Sequence, residues 1–100
     1  MNKKIMEMDI NTTINQLGGT KAIVMTGCKF FAGADSLCVK FPKLTPKNRI
    51  SYIMISLNGN DYYDLKFCRH DSTTKIIETD IEASMLKSII EDNTGLYLSL

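Results

Sequence analysis

The stretch SYIMISLNGNDYYDLKF (residues 51–67) constrains the fold more than any other part of this sequence. Two runs rich in apolar and aromatic residues flank Asn58-Gly59-Asn60, and Asn-Gly is the strongest short-range signal of a β-hairpin turn. We therefore expect two antiparallel strands joined by a two-residue turn at Asn58-Gly59 or Gly59-Asn60. The backbone conformation of a tight turn accounts for these residues. The turn is therefore predicted to have a structural role and not to be a catalytic or binding site.

The remaining elements follow from similar patterns along the chain. The predicted order is α-β-β-β-β-β-α, with a short helix in residues 10–19, strands at 21–31, 36–41, 51–57, 62–68 and 74–80, and a helix from 80 to 95. Short connections favour antiparallel neighbours. The sequence thus predicts a single α+β domain over residues 1–100: an antiparallel meander sheet of four to five strands, with a short N-terminal helix and an amphipathic C-terminal helix packed on it.

Several residues are predicted to begin, end or bend these elements. Asn11 and Asp80 are candidate helix N-caps, Gly27 is a candidate bulge or kink within a strand, and Gly95 suits the left-handed position after a helix. The apolar stripe of the last helix comprises Ile81, Met85, Leu86, Ile89 and Ile90. The apolar tail LYLSL is expected to pack back on the domain or on a neighbour.

The composition is that of an ordinary globular domain, with 44% hydrophobic and 23% charged residues. No apolar run approaches the roughly 20 residues that span a bilayer. Glu7 and Asp9 interrupt what would have to be the apolar region of a signal peptide. We expect no membrane association and a cytoplasmic location.

No catalytic or metal-binding pattern emerges. Asp61 and Asp64 are predicted to lie on opposite faces of a hairpin, which does not suit paired carboxylate chemistry. The consecutive residues His70-Asp71-Ser72 cannot hold a triad, which is assembled from separate elements. The three cysteines show no CxxC pair, and zinc would need Cys28 and Cys38 to converge on Cys68 and His70. We therefore predict no enzyme activity, no metal and no cofactor.

The charges are divided unevenly between the halves of the chain. Residues 1–50 carry eight basic and three acidic residues, whereas residues 51–100 carry four basic and eight acidic ones. The run KFPKLTPKNR contains no acid, and its basic residues are candidates for binding phosphates or an acidic protein surface: Lys40, Lys43, Lys47 and Arg49. A solvated loop whose lysines aid solubility is the alternative.

One strand of the hairpin is apolar on both sides. Ile53, Ile55 and Leu57 form one face, and Tyr52 and Met54 lie on the other. We expect the face bearing Tyr52, Met54 and Tyr62 to be an interaction surface or a homodimer contact, unless the N-terminal segment 1–17 covers it.

The phrases LGGTKAIVMTGCKFF, DSLCVKFP, ISYIMISLNGNDYYDLKF and NTGLYLSL together resemble a family of small proteins encoded by bacteriophages and mobile elements of gut-type bacteria. The resemblance extends from Leu17 to Leu100, and the chain departs from the family pattern at Met54, where a charged or polar residue is expected. The matching positions are Thr26, Gly27, Lys29, Phe31, Leu57, Asn58, Gly59, Asp61, Tyr63, Asp64, Thr94, Gly95, Leu96, Tyr97, Ser99 and Leu100. Most of these are turn, strand-core or helix-stop residues, so they bear on fold more than on chemistry.

The resemblance implies a non-enzymatic accessory protein that acts in the cytoplasm of a bacterial host cell. It implies binding to a host protein or ribonucleoprotein complex and inhibition of a defence machine such as a CRISPR effector, as an anti-CRISPR protein does. The alternative is a small nucleic-acid-binding module that uses the basic loop and serves the element's own replication or regulation. A structural or packaging protein is a third alternative.

Overall fold

The computed structural model describes residues 10–33 and 35–98. Within them, five strands form one antiparallel sheet in the order β1-β2-β3-β4-β5, so each strand pairs with its neighbour in sequence. The bounds are α1 Ile10–Gln16, α2 Thr20–Thr26, β1 Lys29–Ala32, β2 Ser36–Lys40, β3 Tyr52–Leu57, β4 Tyr63–Cys68, β5 Thr74–Ile81, a 3-10 turn Ala83–Met85 and α3 Leu86–Thr94. The predicted α+β meander with helices beside its sheet is confirmed.

The sheet has two faces of different character. Its core face carries buried side chains that alternate along the strands: Leu37, Val39, Ile53, Ile55, Tyr63, Leu65 and Phe67. The helical layer adds Leu17, Ala22, Leu86 and Ile90 to the same core. On the opposite face, which we call the open face, the described helices add nothing to that core. Within residues 10–33 and 35–98 the fold is therefore two layers, with one side of the sheet outside them.

The N-terminal helix α1 lies on the core face. Thr13 is fully buried, and its hydroxyl is 3.0 Å from the Tyr63 hydroxyl on β4. Ile10 is already helical, so Asn11 lies inside the helix and the prediction of Asn11 as N-cap is wrong. Gly18 follows the helix with φ of 108°, a conformation that favours glycine.

The segment 21–31 was predicted as one strand because it is rich in β-branched and aromatic residues, and this prediction is wrong for its first half. The structure has helix α2 over Thr20–Thr26, and only Lys29–Ala32 is a strand. Gly27 ends the helix with φ of 73°, and its N–H donates to the Ile23 carbonyl at 2.7 Å. Gly27 is thus a helix C-cap and not a strand bulge. A good left-handed stop outweighs the weak β preference of a short run.

The C-terminal helix starts later than predicted. Asp80 lies within β5 with φ of 57°, and its N–H donates to Asp64 Oδ1 at 3.1 Å, so Asp80 is not a helix N-cap. Ile81 also belongs to β5 and Met85 is 47% exposed, which leaves Leu86 and Ile90 as the buried part of the predicted stripe.

The end of α3 agrees with the sequence. Gly95 has φ of 76°, and its N–H donates to the Glu91 carbonyl at 2.9 Å, which confirms the left-handed stop. Leu98 is 2% exposed, and its N–H donates to Glu91 Oε2 at 2.8 Å. The tail therefore packs back on the domain as far as Leu98, while residues 99 and 100 lie outside the described residues.

Candidate binding surface

The open face carries a row of directly paired side chains that crosses the whole sheet. The register places them in the order Phe31, Cys38, Met54, Lys66 and Ile77, one from each strand. Phe31 is 52% and Ile77 is 60% exposed. We call this set the central row. It is an apolar strip, interrupted by one lysine, on a face that the described helices do not pack against.

A second row lies beside it, toward the end of the sheet where β2 runs into the basic loop. Its members are Lys29, Lys40, Tyr52, Cys68 and Thr74, which pair in that order across the strands. We call this set the basic row. Lys29 and Lys40 are both exposed and stand directly opposite each other. Among the described residues, neither row contains an acidic side chain.

The structure brings together two of the three residues predicted for this face. Tyr52 and Met54 alternate along β3 and are half-buried on the open face. Tyr62 is 39% exposed but precedes β4, beside the turn at the far end of the hairpin. Five residues of strand, or about 17 Å, separate that end from Tyr52. Tyr62 is therefore not part of the same patch.

Part of the alternative, in which the segment 1–17 covers this face, is wrong. Residues 10–17 lie on the core face, where Ile10, Ile14 and Leu17 contact the core. Residues 1–9 lie outside the described residues. The sequence reasoning missed Lys29, Phe31, Lys66 and Ile77 as members of the surface. For Phe31 and Ile77 the signal was the pattern within β1 and β5, where apolar side chains fall on both faces.

The basic loop between β2 and β3 has a structural role. Lys47 N–H donates to the Thr94 carbonyl, and Asn48 Nδ2 donates to the Asn93 carbonyl, each at 2.9 Å. Both carbonyls belong to the last turn of α3, where the helix leaves its acceptors unpaired. The buried Thr45 hydroxyl accepts from the Ile50 N–H at 2.8 Å and holds the loop closed. The loop therefore caps a helix, with one backbone and one side-chain donor.

The side chains of that loop remain accessible. Lys43, Lys47 and Arg49 are exposed, as predicted for a binding loop and for a solvated one alike. Lys40 belongs to β2 and lies in the basic row, not in the loop. The loop and the basic row share one end of the sheet. The opposite end carries acidic residues at its turns and strand ends: Asp35, Asp61, Asp64, Asp80 and Glu82.

The Asn58 turn is built differently from the predicted two-residue hairpin. The Asp61 N–H donates to the Asn58 carbonyl at 3.2 Å, and the positive φ of 64° falls at Asp61. Asn58 Oδ1 accepts from the backbone N–H groups of Asn60 and Tyr62, at 2.8 and 3.2 Å. The two-residue turn is therefore wrong, and the side chain of Asn58 organises a longer loop.

The acidic groups around this turn are held by structural hydrogen bonds. Asn58 Nδ2 donates to Asp64 Oδ1 at 3.0 Å and to Asp80 Oδ1 at 2.8 Å. In the next hairpin, Asp71 Oδ1 accepts from the Thr73 hydroxyl and N–H, at 2.6 and 3.1 Å. These bonds from Thr73 lower the pKa of the Asp71 carboxyl. These hydrogen bonds close the turns at Asn58 and Asp71.

The cysteines do not converge. Cys28 belongs to the core, whereas Cys38 and Cys68 lie on the open face. Burial raises the pKa of the Cys28 thiol and of the Cys38 thiol, which disfavours the thiolate that binds metals. Among the described residues, no group of three or more His, Cys, Asp or Glu side chains is placed to hold a metal ion.

The fold and its exposed rows define a small α+β protein in which the described helices pack on one face of the sheet. No protein-family model, curated protein or solved structure matches this chain. Within the part of the chain that the structure describes, none of the helices has the length and apolar character to cross a membrane.

Proposed function

We propose that this chain is a small non-enzymatic binding protein that attaches to a host defence complex through its open face and inhibits that complex. The resemblance to small phage and mobile-element proteins supports this class of partner, with a ribonucleoprotein such as a CRISPR effector as the first target to test. The site of action is then the cytoplasm of the bacterial host cell.

The observation that carries the proposal is the exposed central row. Phe31 and Ile77 lie in this row on the two edge strands, each two strands from Met54, and both of them are more than half exposed. Burying such a side chain completely is worth about 1.5–3 kcal/mol. Exposed apolar strips of this kind mark interaction surfaces in small domains. The strip is accordingly a surface suited to hold a partner.

The test is co-purification with candidate effector complexes, combined with an assay of target cleavage. Phe31→Glu and Ile77→Glu should abolish both binding and inhibition because they place a charge in the strip. Val24→Glu is the matched control, since Val24 is an apolar residue on α2 with 77% exposure and lies outside the open face. If no candidate complex binds or loses activity, or if all three variants behave alike, the proposal fails.

A second candidate is the nucleic-acid-binding module that serves replication or regulation. The supporting observation is that Lys43, Lys47 and Arg49 are exposed at the same end of the sheet as Lys29 and Lys40. Exchanging all three loop residues for Glu should remove salt-dependent binding to DNA or RNA, if the loop is the site. Unchanged binding in that variant would exclude the loop.

A further inference from the structure

We propose that the open face binds single-stranded nucleic acid, with Lys29, Lys40 and Lys66 on the phosphates and Phe31 and Tyr52 against the bases. The inference rests on the proposed function in using the same face, and it names the chemical class of what that face contacts. RNA-guided complexes display a single strand when they open a duplex, so the two proposals are compatible.

The positive charge of the open face favours the binding of an anion. Lys29 and Lys40 are directly opposite on adjacent strands, and like charges in that relation destabilise a sheet. Lys66 adds a third exposed cation in the neighbouring row. The described part of both rows holds no acid, so Lys29 and Lys40 have no acid beside them in these rows. Asp64 is two residues from Lys66 on the same side of β4, and its Oδ1 accepts hydrogen bonds from Asn58 and from the Asp80 N–H. A polyanion would compensate the charges of Lys29 and Lys40.

The aromatic residues of the face lie next to its cations. Phe31 is two residues from Lys29 along β1, on the same side of the strand. Tyr52 stands directly opposite Lys40 on β3. The two rings therefore lie two strands and two residues apart, about 12 Å, each with a lysine beside it. Stacking of bases on rings, with cations along the backbone, is how sheet faces bind single strands without strong sequence preference.

Other occupants of the face fit less well. In a duplex the bases are stacked on one another and cannot lie flat on Phe31, so only the lysines would be used. A second copy would have to turn its acidic end, with Asp61 and Asp64, toward the basic row, and it offers the two rings no bases to stack on. The single strand alone satisfies both the rings and the cations.

The experiment measures fluorescence anisotropy of labelled single strands, about 12 nucleotides long, with the purified whole chain. Mixed-sequence RNA and DNA strands and a duplex of the same length are compared between about 50 and 200 mM salt. Single strands should bind more tightly than the duplex. Log affinity should fall against log salt with a slope of about −2, since each phosphate contact on a single strand contributes about 0.7.

The variants separate rings from cations. Phe31→Leu keeps the apolar surface and loses the ring, so affinity should fall about fivefold with the same salt slope. Combining Lys29→Glu, Lys40→Glu and Lys66→Glu should abolish binding. Lys21→Glu, an exposed lysine on α2, is the control and should change affinity less than twofold. Thermal melts of every variant establish that it is folded.

Several results would overturn the inference: no binding of single strands, tighter binding of the duplex, or unchanged affinity in the triple lysine variant. A dimer in sedimentation that Phe31→Glu dissociates would assign the face to a second copy instead. Inhibition of a defence complex without any binding of single strands would leave the proposed function standing and remove this inference. Binding of single strands without inhibition would do the reverse.

Discussion

The paired lysines of the basic row give the sharpest prediction about stability. Lys29 and Lys40 are directly opposite in the register and both are exposed, so replacing either with Glu converts a repulsion into an attraction. We expect Lys40→Glu and Lys29→Glu each to stabilise the free protein. A substitution that strengthens the fold while weakening ligand binding would show that these charges are kept for the ligand.

The expected size follows from the geometry of the pair. Two unit charges about 6 Å apart in water interact by about 0.7 kcal/mol, and ionic screening at about 0.1 M reduces this to roughly 0.4 kcal/mol. Reversing one sign changes the free energy of unfolding by twice that amount, about 0.8 kcal/mol. For a chain of 100 residues this corresponds to a rise in Tm of about 3–5 °C.

Thermal and urea unfolding of the single variants and the double variant test this reasoning as a double-mutant cycle. The double variant restores a like-charge pair, so its stability should return close to that of the unmodified protein. The neutral variant Lys40→Gln should show about half the gain, and about 1 M salt should remove most of it. Gains that simply add in the double variant, or that survive high salt, would refute the repulsion.

Three further predictions concern the interior and the helix end. Thr13→Val and Tyr63→Phe should each cost about 1–2 kcal/mol in urea unfolding, because each leaves a buried hydroxyl without this partner at 3.0 Å, whereas the double variant should cost less than their sum. Gly95→Ala should cost about 1–2 kcal/mol, since φ is 76° and a Cβ there would lie 3.2 Å from Lys47 Cβ. Burial raises the pKa of Cys28 above its ordinary value of 9.0, so stability should be complete below that pH and fall above it, where only the unfolded chain loses the proton. Urea unfolding between pH 8 and about 10 measures this fall.

Each of these has its own contrary outcome. Strict additivity of Thr13→Val and Tyr63→Phe would show that the hydroxyls do not depend on each other. If Gly95→Ala leaves the urea midpoint unchanged, the loop between β2 and β3 must move at Lys47 to make room for the added Cβ. A fall in stability above pH 9 that persists in Cys28→Ala would have to come from other groups.

The sequence predicted the sheet because its alternation extends over several adjacent strands. In β2, β3 and β4 the apolar residues repeat at every second position and are buried in the structure, as at Val39, Ile55 and Leu65. Their consistency, with short connections between them, leaves the antiparallel meander as the simplest arrangement. The end of the last helix at Gly95 was equally predictable, because glycine is the residue that most often adopts the left-handed conformation after a helix.

The errors arose where local preference competed with context. The β-branched residues of 21–26 favour a strand, but Ala22 is the buried residue of that segment and Gly27 stops a helix. Thr26 reinforces the helix, because its hydroxyl donates to the Ala22 carbonyl at 2.8 Å. Asp80 is a suitable N-cap residue by type, but in the structure it belongs to a bulged strand, where its N–H donates to Asp64 Oδ1.

The candidate surface was only partly predictable for a similar reason. Alternation within one strand identified Tyr52 and Met54, but the neighbours of a residue in other strands depend on register. Phe31, Lys66 and Ile77 join Met54 only because the five strands align in this register.

The most direct test of the open face as the binding surface is an amide chemical-shift titration of the isotope-labelled protein with a mixed-sequence single strand. We expect the largest shifts at the central and basic rows, with Lys29, Phe31 and Lys66 most affected and the Val24 amide on α2 unshifted. Shifts concentrated on α2, or confined to Lys43 and Lys47 of the loop, would contradict it.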